Sequence, residues 1–436
     1  MSLSAATLFK YIPKQQPLWL ALSGGLDSMV LLHLLSQSGL AFKALHVNHQ
    51  LSAQAGQWQD HCQRACDQLA VELVVELVEV APAGRGLEDA ARQARFAAFA
   101  QSLTQDSVLL TAHHRDDQAE TLLLRLLRGA GVHGLRAMLP VSPLVIDGCA
   151  KGQIVRPLLD CSRAELEAYA RLQGLDWVTD HSNEDTSLDR NFLRHRVLPT
   201  IAQRWQGFSQ RWRAAASHLA EAAELLDELA VQDLGCLPQA PELDKFGRSL
   251  SLAFIQGFSA PRAKNVLRYW LAGLNLTLTS AQLAELLEQL THAKADAQVD
   301  FHLADSCLRR YQARVFCTPR LEPVPEGALE LGPDQPIGFG VGRVAMRPAA
   351  YGLALPASGK WLVRTRRQGE RSHPAGRSHS QTLKKLLQEV NLPPWLRDQV
   401  PLVCDGQRLL AVGDLWLEQG AGELIPNGYS LTWDIP

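Results

Sequence analysis

At 436 residues the chain exceeds one ordinary hydrophobic core, and two or three domains are expected. An apolar share of 46% and a charged share of 20% are those of a soluble globular protein and exclude a disordered or fibrous chain. With a formal net charge of −2, any nucleic-acid contact has to come from local basic patches and not from the charge of the whole. Eight cysteines occur without a Cys-x-x-Cys pair, only Cys62 and Cys66 lying close. That argues against a zinc ribbon, an iron–sulfur cluster or a disulfide framework and suits a reducing compartment. Met1 to Gln16 carries lysines but no apolar core ending in a cleavage site, and no apolar stretch reaches membrane-spanning length. The chain reads as cytoplasmic, with no membrane partner.

Leu18 to Leu22 is apolar without polar alternation, the pattern of a fully buried parallel strand. A Gly-Gly turn follows, and Met29 to Leu35 predicts a helix. Phe42 to Val47 predicts a second strand, ending in His46-Val47-Asn48-His49, and Val71 to Val80 a third, with a helix over Gln57 to Leu69 between them. Glu88 to Leu103 is Ala-rich and helical, Ser107 to Ala112 a fourth strand, and Asp116 to Leu127 a helix closed by Gly129 and Gly131. Strands alternating with helices predict an α/β fold, a doubly wound parallel sheet, over residues 1–205. Ligands of such sheets sit past the carboxyl ends of the strands, which puts the Ser23 loop and the His113 stretch on one rim.

Near Pro199 the strand signals fade. Arg211 to Val231 is amphipathic, with Trp212, Leu219, Leu226 and Leu229 on a helical period, and Pro238 and Pro241 break it. Pro261 to Leu271 and Ser280 to Leu290 predict two more helices, and Ala304 to Phe316 looks extended. Residues 206–318 therefore predict a mainly helical domain. The Pro- and Gly-rich stretch from Pro319 to Gly342, apolar only at Leu329 to Leu331, reads as a linker over 319–345. Its Gly338, Gly340 and Gly342 make no dinucleotide fingerprint. Residues 346–436 mix short strands with one helix, Gln381 to Val390, as a small α+β C-terminal domain.

Two stretches carry chemistry. In Ser23-Gly24-Gly25-Leu26-Asp27-Ser28 the glycines let backbone approach backbone or ligand, and the first amides of the new helix offer unpaired N–H groups to an anion. Ser23 and Ser28 add hydroxyl donors, and Asp27 is placed to hold a metal on phosphates. The Gly-Lys-Ser/Thr ending of a Walker A loop is missing. The second stretch, Ala112-His113-His114-Arg115-Asp116-Asp117-Gln118-Ala119-Glu120-Thr121, packs imidazoles and carboxylates at a helix start. Asp117 and Glu120, three apart, face one side of the helix and suit an amine substrate or magnesium. Asp116 has the plainer reading of a helix cap, and His113 alone that of a satisfied strand-end histidine. With the Ser23 loop on the same rim, His113, Asp117 and Glu120 read as a substrate site.

The first stretch is identical to the SGGxDS signature of the N-type ATP pyrophosphatases, the PP-loop enzymes. His-His-x-Asp-Asp-Gln-x-Glu-Thr, then Gly129-Ala130-Gly131 and Gly134-Leu135, resembles the tRNA(Ile)-lysidine synthase subfamily. Further matches are His46-Val47-Asn48-His49, Glu88 with Ala91-Arg92 and Arg95, Arg156-Pro157-Leu158-Leu159, Asp180 with Ser182-Asn183, and Arg190-Asn191 with Arg194. The resemblance covers residues 18–200 and resumes over 361–412, where Leu383-Lys384-Lys385-Leu386-Leu387 and Pro394-Trp395-Leu396-Arg397 are similar to that family's C-terminal domain. The middle domain matches by position and helical character. Ser52 stands where an arginine is usual and Phe96 where a tyrosine is usual, which removes a phosphate contact and a hydroxyl hydrogen bond from the pattern.

The resemblance implies a two-step reaction. ATP adenylates the carbonyl oxygen at carbon 2 of the wobble cytidine in a CAU-anticodon isoleucine tRNA, and the ε-amine of free L-lysine displaces AMP. It implies ATP bound by Ser23, Gly24, Gly25, Leu26, Asp27 and Ser28, Mg2+ on Asp27, and catalytic roles for Asp27, Arg95, His113, Asp117 and Glu120. Asp117 and Glu120 would hold the lysine ammonium and accept its proton, and Arg95 would counter charge on the adenylated base. For RNA contact the candidates are Arg190, Arg194 and Arg196, beside His195, and a second run of Arg364, Arg366, Arg367, Arg371, Lys384 and Lys385. That run also holds Arg377, against only Glu370 and Glu389, with Trp361, His373 and His379 interspersed. The plainer readings are solvated faces, and for Arg190-Asn191 an ion pair with Asp180 or Asp185. The lone His61, His181 and His302 read as surface or satisfied residues. Oligomeric state stays open, a homodimer included. A tRNA 2-thiolation enzyme would want a cysteine pair, an amidating ligase a glutaminase domain, and a mere binding module would have let the loop or Asp117 and Glu120 erode.

Overall fold

Strands of leucine, valine and alanine without polar alternation are satisfied only between two apolar layers. A computed structural model describes residues 3–4, 10–13, 16–80, 87–146, 149–235, 242–244, 246–292, 299–303, 305–421 and 425–435. In it β1 (Leu18–Ala21) pairs in parallel with β2 (Phe42–Asn48) on one side and β4 (Val108–Leu110) on the other, and β3 (Leu73–Leu77) extends the sheet beyond β2. Leu18, Leu20, Leu22, Val108 and Leu110 point into one core, with α1 (Leu26–Ser36) and Cys62 and Cys66 of α2 (Ala55–Gln68). Trp19, Ala21 and Leu109 point into the other, against Phe99 of α3 (Leu87–Ser102). Successive residues of one strand thus serve opposite layers, as in a doubly wound sheet.

β5 (Val141–Ile146) and β6 (Cys149–Val155) form a hairpin absent from the sequence-based expectation, and β6 joins β4 in parallel to give the order β3-β2-β1-β4-β6-β5. Gly152 makes that junction possible: its φ is +114°, and a Cβ there would sit 2.0 Å from the Ser107 carbonyl oxygen. After α4 (Arg115–Leu127), α5 (Val132–Leu135) and α6 (Arg163–Leu172), the chain runs through α7 (Asp189–Phe192), a π turn (Leu193–Val197) and α8 (Leu198–Arg204) into α9 (Phe208–Gly235). The molecule divides into two compact units, Met1–Glu228 and Leu229–Pro436, the division falling inside α9.

In the second unit a short α10 (Leu252–Gln256), absent from the sequence-based expectation, precedes the two expected helices, α11 (Ala260–Gly273) and α12 (Ser280–His292). They pack on an antiparallel sheet ordered β7 (Glu242–Asp244), β8 (Gly247–Ser251), β11 (Arg314–Pro319), β10 (Ser306–Tyr311), β9 (Asp300–His302). The stretch expected to be extended is the β10–β11 hairpin. Pro238 and Pro241, expected to end the long helix, lie outside the described residues.

The linker expectation over 319–345 is corrected. β12 (Leu329–Leu331), β13 (Ile337–Phe339) and β14 (Gly342–Gly352) begin within it. They build two sheets with β15 (Trp361–Arg364), β18 (Leu402–Asp405), β19 (Arg408–Val412), β20 (Trp416–Leu417) and β21 (Ile425–Asp434), beside the short pair β16 (Arg371–Ser372) and β17 (Gln381–Thr382) and α13 (Leu383–Glu389). Leu331 and Phe339 are fully buried with Trp361, Val403 and Trp433. Frequent Gly and Pro mark the turns between very short strands here, and such punctuation imitates a linker. Among the described residues no helix is long and apolar enough to cross a membrane.

Phe339→Ala separates the two descriptions. A core position loses about 3–5 kcal/mol on truncation, whereas an exposed linker residue changes stability by less than about 0.5 kcal/mol. Thermal and denaturant unfolding of the full chain should show the larger loss.

Candidate active site

Leaving β1, the chain turns at Gly24, whose φ is +80° and whose added Cβ would meet Cys62 Sγ at 3.0 Å and Val178 Cγ2 at 3.1 Å. The Val178 amide donates to the Gly24 carbonyl at 3.0 Å, so the segment after α6 clamps the turn from outside. Gly25 is the N-cap of α1 and brings no side-chain cap, which leaves the first amides of an eleven-residue helix to a ligand anion. The Ser28 hydroxyl donates to the Gly25 carbonyl at 2.9 Å and lies 3.1 Å from Ser23 Oγ.

Past β4, His114 caps α4. Its Nδ1 accepts from the amides of Asp116 and Asp117, while the His114 amide donates to Asp117 Oδ2 at 2.9 Å, a reciprocal capping box. With Nδ1 an acceptor, the ring proton of neutral His114 sits on Nε2, which faces Asp117 Oδ2 at 3.5 Å and Asp27 Oδ2 at 3.7 Å. Asp116 does not cap its own helix: its carboxylate accepts from the Arg163 amide at 2.7 Å and so anchors the start of α6. Arg163 in turn sends Nη1 to 3.8 Å from Asp27 Oδ2.

Burial, with some repulsion from Asp117, pushes the Asp27 carboxyl up, against the pull of His114, Arg163 and Arg194. Its Oδ1 is a buried oxygen with no hydrogen-bond partner among the described residues. A hard divalent cation such as Mg2+ would supply that partner, so the residues fit the metal.

Asp117 and Glu120 do share one face of α4, and there they meet two arginines. Arg190 reaches Glu120 Oε2 at 2.7 Å and Asp117 Oδ1 at 3.1 Å; Arg194 reaches Glu120 Oε1 at 2.6 Å and Asp117 Oδ1 at 3.1 Å. This corrects two expectations. Arg190 and Arg194 are not an open basic face, and Arg190 pairs with these carboxylates in place of Asp180 or Asp185. Glu120, 1% exposed, has both oxygens covered by guanidinia and does not line the cleft, so it is no open acceptor for a substrate amine. Burial would push the Asp117 carboxyl up, but His114, Arg190, His113 and the His114 amide outweigh it and hold it below the ordinary value.

A cleft of about 500 Å³ opens between these elements. Ser23, Gly25, Asp27, Arg95, His113, Asp117, Arg190 and Arg194 line it, together with Arg163, Trp177, Val178 and Asn183, of which Arg163, Trp177 and Val178 had no motif to announce them. Its size and the many charged and polar groups that converge on it suit a nucleotide-sized ligand.

Residues 2–201 match the family model of the PP-loop domain, 250–316 that of the TilS substrate binding domain and 362–433 that of the TilS substrate C-terminal domain. The tRNA(Ile)-lysidine synthase of Pseudomonas putida is 42% identical over 430 residues, which cover 96% of this chain and 96% of that one. The chain belongs to the tRNA(Ile)-lysidine synthase family. The Escherichia coli O157:H7 member is 38% identical over 439 residues, 98% of each chain. The resemblance drawn from motifs is thereby borne out, and the middle region, which its sequence places only by position, falls under a model of the same family.

The remaining residues of interest divide by what they touch. Arg95 is exposed at the cleft, its Nε 3.5 Å from His49 Nε2. In the second unit Arg364 is spent on Glu370 at 2.6 Å, Arg366 on Asp398 at 2.9 Å and Arg371 on the Ser380 carbonyl at 2.6 Å. Arg196, Arg367, Lys384 and Lys385 are exposed. His113 holds Thr111 Oγ1 at 2.9 Å through Nδ1. Burial, together with the Arg156, Arg190 and Arg92 guanidinia, outweighs the attraction of Asp117 and pushes His113 down to about 4.

A histidine lowered in this way is neutral above that value. The His113 ring signals, assigned by their loss in His113→Gln, should titrate with a midpoint near 4. A midpoint near the ordinary 6.5 would show that burial and the surrounding cations do not control it.

Proposed function

We propose that the protein is an ATP-dependent carbon–nitrogen ligase that converts the wobble cytidine of a CAU-anticodon isoleucine tRNA to lysidine, with free L-lysine as the amine. The observation that carries the reading is that the Ser23–Ser28 turn, His113 and Asp117 open onto one cleft in a chain aligned end to end with this family.

In the first step the oxygen on carbon 2 of the cytidine attacks the α-phosphorus of ATP and the bond to pyrophosphate breaks. The uncapped amides of α1, with Ser23, would hold the leaving pyrophosphate, while Ser28, buried and donating to the Gly25 carbonyl, braces the turn. Mg2+ held by Asp27 would neutralise phosphate charge. Arg95 and Arg163 bring positive charge to the same cleft for the adenylated base, while Arg190 and Arg194 stay paired with Asp117 and Glu120. In the second step the lysine ammonium gives up one proton to solvent and the freed ε-amine attacks carbon 2. The carbon–oxygen bond to AMP breaks, and a second proton leaves the new nitrogen. Asp117, kept ionised, attracts the ammonium. His113, kept neutral, is the group that would take the proton released after attack. Glu120 acts from behind by fixing the two guanidinia.

The target base has to be unstacked to enter a cleft of this size, and single-stranded anticodon bases are the ones proteins can splay out. Arg196, Arg367, Lys384 and Lys385 are the exposed cations for the tRNA backbone.

The deciding assay combines an isoleucine tRNA transcript bearing CAU with ATP, Mg2+ and radiolabelled lysine. Label should enter the RNA only with ATP, and Asp117→Asn should lower the rate by about 10²–10⁴-fold. AMP release without label on RNA would leave adenylation standing and reject lysine as nucleophile. Tight tRNA binding with no AMP release would make the protein a binding module.

A further inference from the structure

Outside the cleft, the edge of the antiparallel sheet in the second unit gathers three side chains of metal-binding type. β9 and β10 run antiparallel with Cys307 opposite His302 and Arg309 opposite Asp300. The period of two puts Asp300 and His302 on one face of β9, and the register brings Cys307 to the same face from β10. Cys307 Sγ lies 3.6 Å from His302 Nδ1 and 2.6 Å from Asp300 Oδ1, and the three ligand atoms fall within 4.8 Å of one another.

We propose that Asp300, His302 and Cys307 form a zinc-type metal site with three protein ligands and a fourth position open to water. Tetrahedral bonds of about 2.3 Å to sulfur and about 2.0 Å to nitrogen separate the two ligand atoms by about 3.5 Å, close to the 3.6 Å between Sγ and Nδ1. The short Sγ–Oδ1 contact is a thiol hydrogen bond that opens when the thiol proton leaves. Thiolate and imidazole select zinc over magnesium or calcium, so the site does not compete with Asp27 for Mg2+. Asp300 and His302 are exposed, which provides the entry path, while Cys307 is buried and closes the inner side. Arg309, itself buried, holds Asp300 Oδ1 from Nε at 3.1 Å and orients the carboxylate.

Loading exchanges one proton for the metal. The thiol, pushed up to about 12 by burial and by its hydrogen bond to Asp300, keeps its proton in the metal-free protein. On binding, the sulfur–metal bond forms, the S–H bond breaks and the proton passes to buffer. The chemical consequence is a clip between the edge strand and its neighbour. β9 has only three residues and, among the described residues, pairs on one side alone, so the clip adds what its short ladder lacks.

Cobalt(II) is the probe, added to the full-length protein. One equivalent should bind with a thiolate-to-cobalt charge-transfer band, and zinc should abolish it. His302→Ala, at an exposed position that tolerates truncation, should lose about tenfold or more in affinity and the thermal stabilisation by zinc. Cys307→Ser should lose the band. Absence of the band in the unaltered protein, or the same band and affinity in His302→Ala and Cys307→Ser, would overturn the proposal.

Discussion

Two carboxylates on one helix and two guanidinia on a later one cannot be buried separately. Asp117 and Glu120 are 8% and 1% exposed, and each ion taken alone from water would cost several kcal/mol. Placed together the four charges sum to zero, and the bidentate geometry of arginine fixes their mutual orientation. The pairing pins α7 and the π turn after it to α4 at the mouth of the cleft, and the Asn191 side chain extends the hold by donating to the Asp185 carbonyl. The same pairing decides what the carboxylates can do. Glu120 is consumed in holding the arginines, and Asp117 alone carries negative charge from the cluster to the cleft.

The cleft lies where it does because the sheet changes direction there. After β1 the chain adds β2 and β3 on one side and returns to place β4 on the other, so the loops that follow β1 and β4 part and leave a crevice between them. That crevice is then braced by a closed series of contacts. Asp116 on α4 holds the first turn of α6, α6 leads to Val178, Val178 clamps Gly24, and Asp27 after the turn faces His114 at the head of α4. Each contact is weak alone, yet each fixes one end of the next element. At Gly24 the side chains of Cys62 and Val178 crowd the place a Cβ would take, and the φ of +80° adds a backbone reason for glycine.

Much of this is legible in the order of residues alone. The apolar runs of β1 and β4 announce buried parallel strands, and the Gly-Gly turn and the His113 stretch fall on one rim as their placement after those strands requires. What stays hidden in the sequence has physical causes. Arg190 and Arg194 lie some seventy residues from the carboxylates they pair with, beyond any local spacing rule. Val178 and the Arg163 amide act through backbone, which leaves no mark in side-chain type. The β5–β6 hairpin carries Pro143 at a bulge and Gly152 at its closest approach to β4, residues that from sequence signal loop. The sheets of the second unit use strands as short as two or three residues, too brief for alternation to stand out, and so Leu331 and Phe339 read as linker while lying in a core.

The same distinction governs the basic residues. A count of arginines treats each as available for phosphate, but a guanidinium committed to a buried carboxylate would have to abandon it first, and the abandoned charge would then lack a partner. Arg190 and Arg194 answer to Asp117 and Glu120, and Arg364 to a Glu370 that is itself well covered, whereas Arg366 pairs with an exposed Asp398 and can leave it at little cost. Attraction to a polyanion then falls to cations in water, where binding is repaid by counterion release and no internal pair is broken. Arg196 on the π turn of the first unit, and Arg367, Lys384 and Lys385 of the second, are of that kind. Lys384 and Lys385 show how little sequence is needed to achieve it: the leucines on either side, Leu383, Leu386 and Leu387, bury one stripe of α13, and helical geometry leaves the two lysines facing solvent. An apolar stripe that secures the helix to its own core is therefore also what presents its charges outward.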